Sequence, residues 1–555
     1  MRGFAWLSSV LVDSLPMQDL TSKPARESRV SASGLSSLAS RVRANAPSLT
    51  DSGMVVLSAG LLILSFPDFD LWPLAWFALA PLLIFIARKA LPLRCFILGW
   101  LFGGVFFYGS CYWLTYSMIH FGGLPTPLAY LLLIPPTLAA GLFPGFFAMA
   151  LAQTIRRWGL AALFLAPLFW AASEWARLGI IGQLWNAIGY SQAYQPLLIQ
   201  PARWGGVYLV GFLIVLVNAA VAFAFMKRTA RSLLAAGTMI SVAALLIITG
   251  HQTSPGRAVV PQEDNAVVVA IQPNVPMDLV KPIDQMRTLA TRHFEMSEAA
   301  LRNLPNDGKP RLVIWPESPM NFGYGGDSLL RERLATFART NNTSLLLNSQ
   351  EVAPNDGVYN SALLINEAGS LVTQYDKIRL LPFGEYVPLP QWLPGAGLIR
   401  GIVGDFTPGT NYRLMQVGNA RAGVFICIES AYPSIARAFT SEGADVLINI
   451  SNDGYLGPTA VMRQHLANAV FRAVENGRPI LRVTNTGITA FITAEGAVKD
   501  ATEGFQPDVR TWTIARSQSE KTFYVVRGDL FAAACAVFSF LVFALSFRGR
   551  PARTT

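Results

Sequence analysis

The sequence predicts two parts, a multi-pass α-helical membrane domain of eight transmembrane helices and an α/β domain set between the seventh and the eighth. Three observations predict it. The 555-residue chain is 52% hydrophobic and only 14% charged, with a mean hydropathy of +0.39. Its long apolar runs gather within residues 53–250 and recur once at 529–547. Between them, residues 251–528 change to short β-like runs alternating with helical periodicity.

Residues 1–52 are polar and rich in Ser, Ala and Arg, and read as a disordered cytoplasmic tail. Arg2 followed by FAWLSSVLV has a weak leader-like pattern, but the apolar part is short and Asp13 follows it. The apolar segments fall at 53–67, 71–88, 95–117, 126–152, 160–177, 204–226 and 233–250, with the eighth at 529–547 and a short tail at 548–555. A bilayer core takes about 20 helical residues, so the first segment is marginal. Basic residues set the orientation. They occur at Arg41 and Arg43, at Arg88, Lys89 and Arg94, at Arg156 and Arg157, at Lys227, Arg228 and Arg231, and at Arg548, Arg550 and Arg553. The intervening turns PDFD and HFGG carry neither Lys nor Arg. This alternation puts both termini in the cytoplasm and 251–528 outside, in the periplasm if the membrane is a bacterial inner membrane. The net charge of +10 is spread in short clusters between apolar runs, without an aromatic-interleaved basic patch, which argues against nucleic-acid binding.

Within 251–528, strands are expected at 267–272, 312–315, 344–348, 359–365, 423–427, 446–450, 480–484 and 488–493. Helices are expected at 284–303, 328–341, 434–442 and 459–476. Three cysteines, Cys95, Cys111 and Cys535, sit in apolar runs; Cys427 alone lies in the polar part, so that part forms no internal disulfide. The four histidines, His120, His251, His293 and His465, lack metal-ligand spacing, and no metal is expected.

Cys427 ends the apolar run 423–426 and precedes a helix-opening stretch with Ser430, Tyr432 and Pro433. A thiol at such a corner sits near backbone N–H groups and a helix N-terminus, both of which favour thiolate. On this stretch alone, a small buried hydrophobe is the slightly stronger reading. An unpaired thiol in an oxidising compartment tilts the reading toward function. Two more reactive groups lie near strand ends: Glu317, after 312–315, and Lys377, in the stretch Tyr375-Asp376-Lys377.

Together WPES, YDKIRLLPFGEYVP and CIES, with IQPNVP, NISNDGYLG and GRPILRVTNTGIT, resemble the Glu-Lys-Cys signature of the nitrilase (carbon-nitrogen hydrolase) superfamily. Joined to eight membrane segments, the chain resembles the family's membrane-bound branch, the apolipoprotein N-acyltransferases. The resemblance implies a nitrilase-like αββα sandwich. It implies that Glu317 is the general base, that Lys377 stabilises the oxyanion, and that Cys427 carries an acyl thioester. Glu385 would tune Lys377 and Glu317, and Glu429 would brace the nucleophile's turn. It implies a phospholipid donor, a diacylglyceryl-cysteine apolipoprotein acceptor and no dissociable cofactor. Asn449, Ser451, Asn452 and Asp453 are expected in the turn beneath the site, with His465 as a packing or hydrogen-bonded residue and TNTG at 484–487 as structural. The loop 388–404, with Trp392 and Leu393, is read either as a membrane-dipping lid over the acyl entrance or as an ordinary packed loop. Two departures bear on lipid fit: Lys281 stands where the family has a lipid-contacting Trp, and Ile428 where it has an aromatic residue; Tyr455-Leu456 also replaces a more aromatic pair. Two rival readings are a membrane-tethered amidase using water as acceptor and a lipoprotein-binding scaffold with a residual pocket.

Overall fold

The computed structural model describes residues 48–252, 266–278, 281–354, 357–387, 406–517 and 519–548. Trp392, Leu393 and the rest of their loop, and residues 1–47 of the N-terminal tail, lie outside the described residues.

In the membrane part, uninterrupted apolar sequence leaves the helix as the way to pair every backbone group internally. The helices are α1 (Leu49–Leu64), α2 (Trp72–Lys89), α3 (Pro92–Ser110), α4 (Leu114–His120), α5 (Thr126–Trp158), α6 (Ala166–Ile181), α7 (Ala202–Lys227) and α8 (Ala230–Gln252). Among the described residues, α2, α3, α5, α7 and α8 are long and apolar enough to cross a membrane. α1 and a later helix, Leu530–Leu545, are shorter, at 16 residues each. Two expected segments are reshaped. The run 95–117 breaks after Ser110, so that α4 is a separate short helix. The run 160–177 opens as a 3-10 turn, Leu160–Leu165, and continues as α6, where Glu174 and Arg177 are buried. α3 and α5 approach to backbone contact: a Cβ on Gly103 would stand 2.6 Å from the Gly141 Cα, so small residues set this spacing. α7 is kinked at Gly205–Gly206, where Gly206 takes φ +64°.

The α/β part contains β1 (Ala266–Gln272), α9 (Ile283–Arg302), β2 (Arg311–Ile314), α10 (Ser328–Asn341), β3 (Ser344–Val352), β4 (Val358–Ile365) and β5 (Leu371–Asp376). It continues with β6 (Leu414–Val417), β7 (Ala420–Ile426), α11 (Pro433–Ser441), β8 (Val446–Ser451), α12 (Val461–Asn476), β9 (Ile480–Thr484), β10 (Ala490–Ile492), β11 (Val498–Lys499) and β12 (Asp508–Ile514). They form two six-stranded sheets, ordered β12-β1-β2-β3-β4-β5 and β11-β10-β9-β8-β7-β6. β1, β2 and β3 run parallel, as do β7, β8 and β9.

The period-two alternation of strand side chains builds the layers. Val268, Ala270, Leu312, Ile314, Leu346 and Leu364 share one core with Ala422, Val424, Ile426, Ile448 and Ile450 of the other sheet. The alternate residues Val269, Ile271, Val313, Leu345, Leu347 and Leu363 face Phe294 of α9 and Phe337 of α10. α11 packs on β7 and α12 on β9. The result is two sheets face to face, each with helices outside, and α12 also packs against α7 of the membrane part.

Candidate active site

Each sheet delivers one half of the site. On the first sheet, β2 ends just before Trp315-Pro316-Glu317, and β5 ends at Asp376, one residue before Lys377. Lys377 is buried, and its Nζ lies 2.8 Å from Glu385 Oε1 and 3.7 Å from Glu317 Oε1. Asn360, on β4 between them, donates to Glu317 at 2.9 Å and to Glu385 at 2.8 Å. Its own carbonyl accepts from Asn348 on β3 at 2.7 Å, so a strand-borne amide pair sets the spacing of the carboxylates. The second oxygen of Glu385 accepts from the Leu381 N–H at 2.7 Å. Burial opposes charge on Lys377, but Glu385 and Glu317 outweigh it and hold its pKa above the ordinary lysine value. The residue is a fixed cation.

On the second sheet, β7 ends at Ile426 and Cys427 turns the chain into a 3-10 turn, Cys427–Ala431. Cys427 has φ +53°, a conformation costly for a residue with a Cβ and found where surrounding structure enforces it. Burial and then the Glu317 carboxylate push its thiol well above the ordinary range, while Lys377 pulls the other way. This departs from the expectation that the corner by itself favours thiolate: burial raises the thiol by more than one 3-10 turn and Lys377 lower it. Glu317 and Lys377 both lie near enough to that sulfur to act on it electrostatically, in opposite directions.

Glu429 joins the halves. It is fully buried, and its carboxylate accepts from the N–H of Ile426 at 2.8 Å, of Ile378 at 2.8 Å and of Arg379 at 3.0 Å, and from the Tyr375 hydroxyl at 2.8 Å. One side chain thus ties the backbone before Cys427 to the backbone after Lys377. Burial raises its pKa, and these donors oppose the rise.

Beneath Cys427 lies a second charged group. Arg482 on β9 donates to Asp453 at 2.8 Å and to Asn449 at 2.5 Å. His465 Nδ1 lies 2.7 Å from Asp453 Oδ1, and its Nε2 lies 3.0 Å from the Cys427 carbonyl oxygen. Burial alone would raise Asp453, but Arg482 and His465 hold it far below the usual carboxylate range. Burial and then Arg482 pull His465 down, while Asp453 pulls it up. Asn449 and Ser451 are strand residues of β8, not turn residues as expected; the turn begins at Asn452.

The other expected site residues are dispersed. Ile428 packs against a cluster that joins Cys111, Trp113 and Trp185 of the membrane part to Ala431 and Val461. Lys281 donates to its neighbour's carbonyl, Asp278 O, at 2.8 Å, a local contact outside the triad cluster. Tyr455 stacks on Phe121 with centroids 4.9 Å apart, and Gly457, at φ +72°, lets Tyr116 within 2.4 Å of where a Cβ would stand. Asn348, Asn360 and Arg482 were not singled out from sequence, although a polar or charged residue inside an apolar strand is a readable signal.

Residues 58–220 match the apolipoprotein N-acyltransferase N-terminal domain, and residues 268–524 match the carbon-nitrogen hydrolase family. A protein from Geobacter metallireducens bearing the name apolipoprotein N-acyltransferase is 34% identical over 504 residues, covering 89% of this chain and 95% of that one. A Brucella melitensis protein of the same name is 30% identical over 466 residues, covering 80% and 85%. Among solved structures, Saccharomyces cerevisiae Nit3, a member of branch 10 of the nitrilase superfamily, matches at 17% identity and a TM-score of 0.36, covering 48% of this chain and 94% of that one.

Proposed function

This chain belongs to the apolipoprotein N-acyltransferase family, and from that premise we propose that it moves an acyl chain from a phospholipid, through a thioester on Cys427, to the α-amine of a diacylglyceryl-cysteine at an apolipoprotein N-terminus. Glu317 takes the thiol proton and the sulfur attacks the ester carbonyl. The tetrahedral oxyanion forms against the Lys377 ammonium. It collapses to a thioester, and the lysophospholipid oxygen leaves with the proton from Glu317. The incoming amine then attacks the thioester, Glu317 accepts its proton and passes it to the departing sulfur as the amide forms. The first half-reaction returns the carboxylate and leaves the sulfur acylated; the second returns both the carboxylate and the thiol to their starting states. Glu385 keeps Lys377 in its charged, fixed position, and Glu429 holds the nucleophile's turn.

In this reading residues 53–250 and 529–547 supply eight membrane spans, 251–528 form the catalytic domain on the periplasmic face, and 1–52 and 548–555 are cytoplasmic tails. A bacterial inner membrane is the setting that provides both substrates. Holding the site against the membrane keeps water from the thioester, which separates transfer from hydrolysis.

The observation that carries the reading is the approach of Lys377 Nζ to Glu385 at 2.8 Å and Glu317 at 3.7 Å beside an unpaired thiol with φ +53°. The test is a two-stage incubation of purified protein. Phospholipid labelled in its acyl chain is added first, and the Cys427 peptide is examined by mass spectrometry; diacylglyceryl peptide is added second. Label on Cys427 that passes to the peptide amine is expected. Label released only as free fatty acid contradicts transfer, and turnover with label on another residue contradicts the nucleophile.

A further inference from the structure

Gln464 and His465 are adjacent on α12 and point to different parts of the molecule. Gln464 is buried and all its hydrogen-bonding capacity is used on the membrane part. Its Oε1 accepts from the indoles of Trp113 at 3.0 Å and Trp185 at 2.8 Å, and its Nε2 donates to Pro67 O at 3.1 Å and Ser110 O at 3.0 Å. Those partners come from three connections: after α1, between α3 and α4, and after α6. The next residue, His465, meets the Cys427 carbonyl at 3.0 Å and is backed by Asp453. Trp185 serves both, because its ring also packs on the His465 imidazole with centroids 5.6 Å apart, and Trp113 packs on Trp185 at 5.4 Å.

We propose that Gln464 and His465 are positioning residues that couple the seating of the membrane connections to the backbone conformation of Cys427. The proposal rests on Cys427 being the nucleophile. The argument is geometric. Cys427 is held at φ +53°, and among the described residues two side chains meet its carbonyl oxygen, His465 at 3.0 Å and Asn449 at 3.4 Å. His465 cannot shift along α12 independently of Gln464. Gln464 in turn is fixed by four groups that belong to the membrane part. A displacement of those connections therefore reaches the nucleophile through two consecutive residues of one helix.

The experiment compares the full-length protein with Gln464→Leu, Trp185→Phe, His465→Gln and Cys427→Ser in lipid nanodiscs. Three quantities are read: kcat and KM for phospholipid, the rate at which a thiol alkylator labels the Cys427 peptide, and thermal stability. A misplaced nucleophile costs rate more than affinity, so His465→Gln and Gln464→Leu are expected to lower kcat by up to about 100-fold with KM changed less than about threefold. Their Cys427 labelling rate should change in parallel. Trp185→Phe keeps the ring but removes one hydrogen bond, and its smaller loss guards against a Gln464→Leu variant that fails to fold. Unchanged kcat and unchanged labelling in the three coupling variants, with Cys427→Ser inactive, would overturn the proposal alone. Full activity of Cys427→Ser would overturn the nucleophile reading instead.

Discussion

The two sheets use charge in opposite ways. On the first, Glu317, Lys377 and Glu385 are gathered where they act on a group that is not part of their own sheet: the Lys377 ammonium has a carboxylate at 2.8 Å, a second at 3.7 Å and the Cys427 sulfur within its field. On the second, Arg482, Asp453 and His465 are all buried and are spent on one another and on the backbone of Cys427. In the proposed reaction the first set faces charge that develops on the substrate. The second makes a strained backbone persist. Buried ion pairs contribute little net stability, but removing one partner is costly. The comparison therefore predicts that loss of a first-sheet charge appears in rate beyond its cost in stability, and that loss of the second sheet's Arg482–Asp453 pair appears chiefly in folding.

The largest effect is expected at the sulfur: Cys427→Ala should abolish acyl transfer, and Cys427→Ser should be at best very slow, both without loss of thermal stability. Next, Lys377→Met should lower kcat per folded molecule by about 10²–10³-fold, the usual cost of removing one oxyanion donor, and should also lower the melting temperature because Glu385 loses its partner. A Lys377→Met protein that unfolds yet transfers acyl chains at the normal rate per folded molecule would erase the distinction between the sheets. Glu429→Gln should destabilise by about 1–3 kcal/mol, because the new amide N–H₂ faces backbone donors that need an acceptor; a denaturation midpoint in detergent reads this.

The Asp453 carboxylate gives a pH signature. Its folded pKa lies far below the ordinary value, so its contribution is fully present above the unfolded value of about 3.9 and is lost as pH falls from there toward the folded value. Asp453→Asn should be less stable near neutrality, and its melting temperature should fall less steeply than the wild type's below about pH 4. The smallest effect belongs to the outer face of the first sheet. The exposed Arg339–Glu332 pair on α10 should contribute less than about 1 kcal/mol, and Arg339→Ala should leave kcat unchanged.

Much of the α/β part could be read from the chain. Buried strands of Val, Ile and Leu, such as 446–451, and amphipathic helices, such as 328–341, were located to within a residue or two. β5, β6, β11 and β12 were missed because they are short or carry Thr, Gln, Asp and Arg at solvent-facing positions, which dilutes the apolar alternation. In the membrane part, apolar runs gave the positions of helices but not their breaks. The turn after Ser110 presents Trp113 to Gln464, a partner 351 residues away that no local pattern reveals. At the site, Glu317, Lys377 and Cys427 came from a resemblance between motifs. Their supports did not: Asn360 and Arg482 look like isolated polar residues until the sheets are stacked. The backbone angle at Cys427 has no signature in sequence at all, because it is imposed by what lies around it.

The account stands on an acid and an amine from one sheet acting on a sulfur from the other. Single-turnover acylation of the Cys427 peptide, followed by mass spectrometry in wild type and Glu317→Gln with phospholipid and no acceptor, tests this most directly. A thioester that accumulates within the dead time of one turnover in wild type, and about 10²-fold or more slowly in Glu317→Gln, is the predicted result. Equal acylation rates in the two proteins would contradict it.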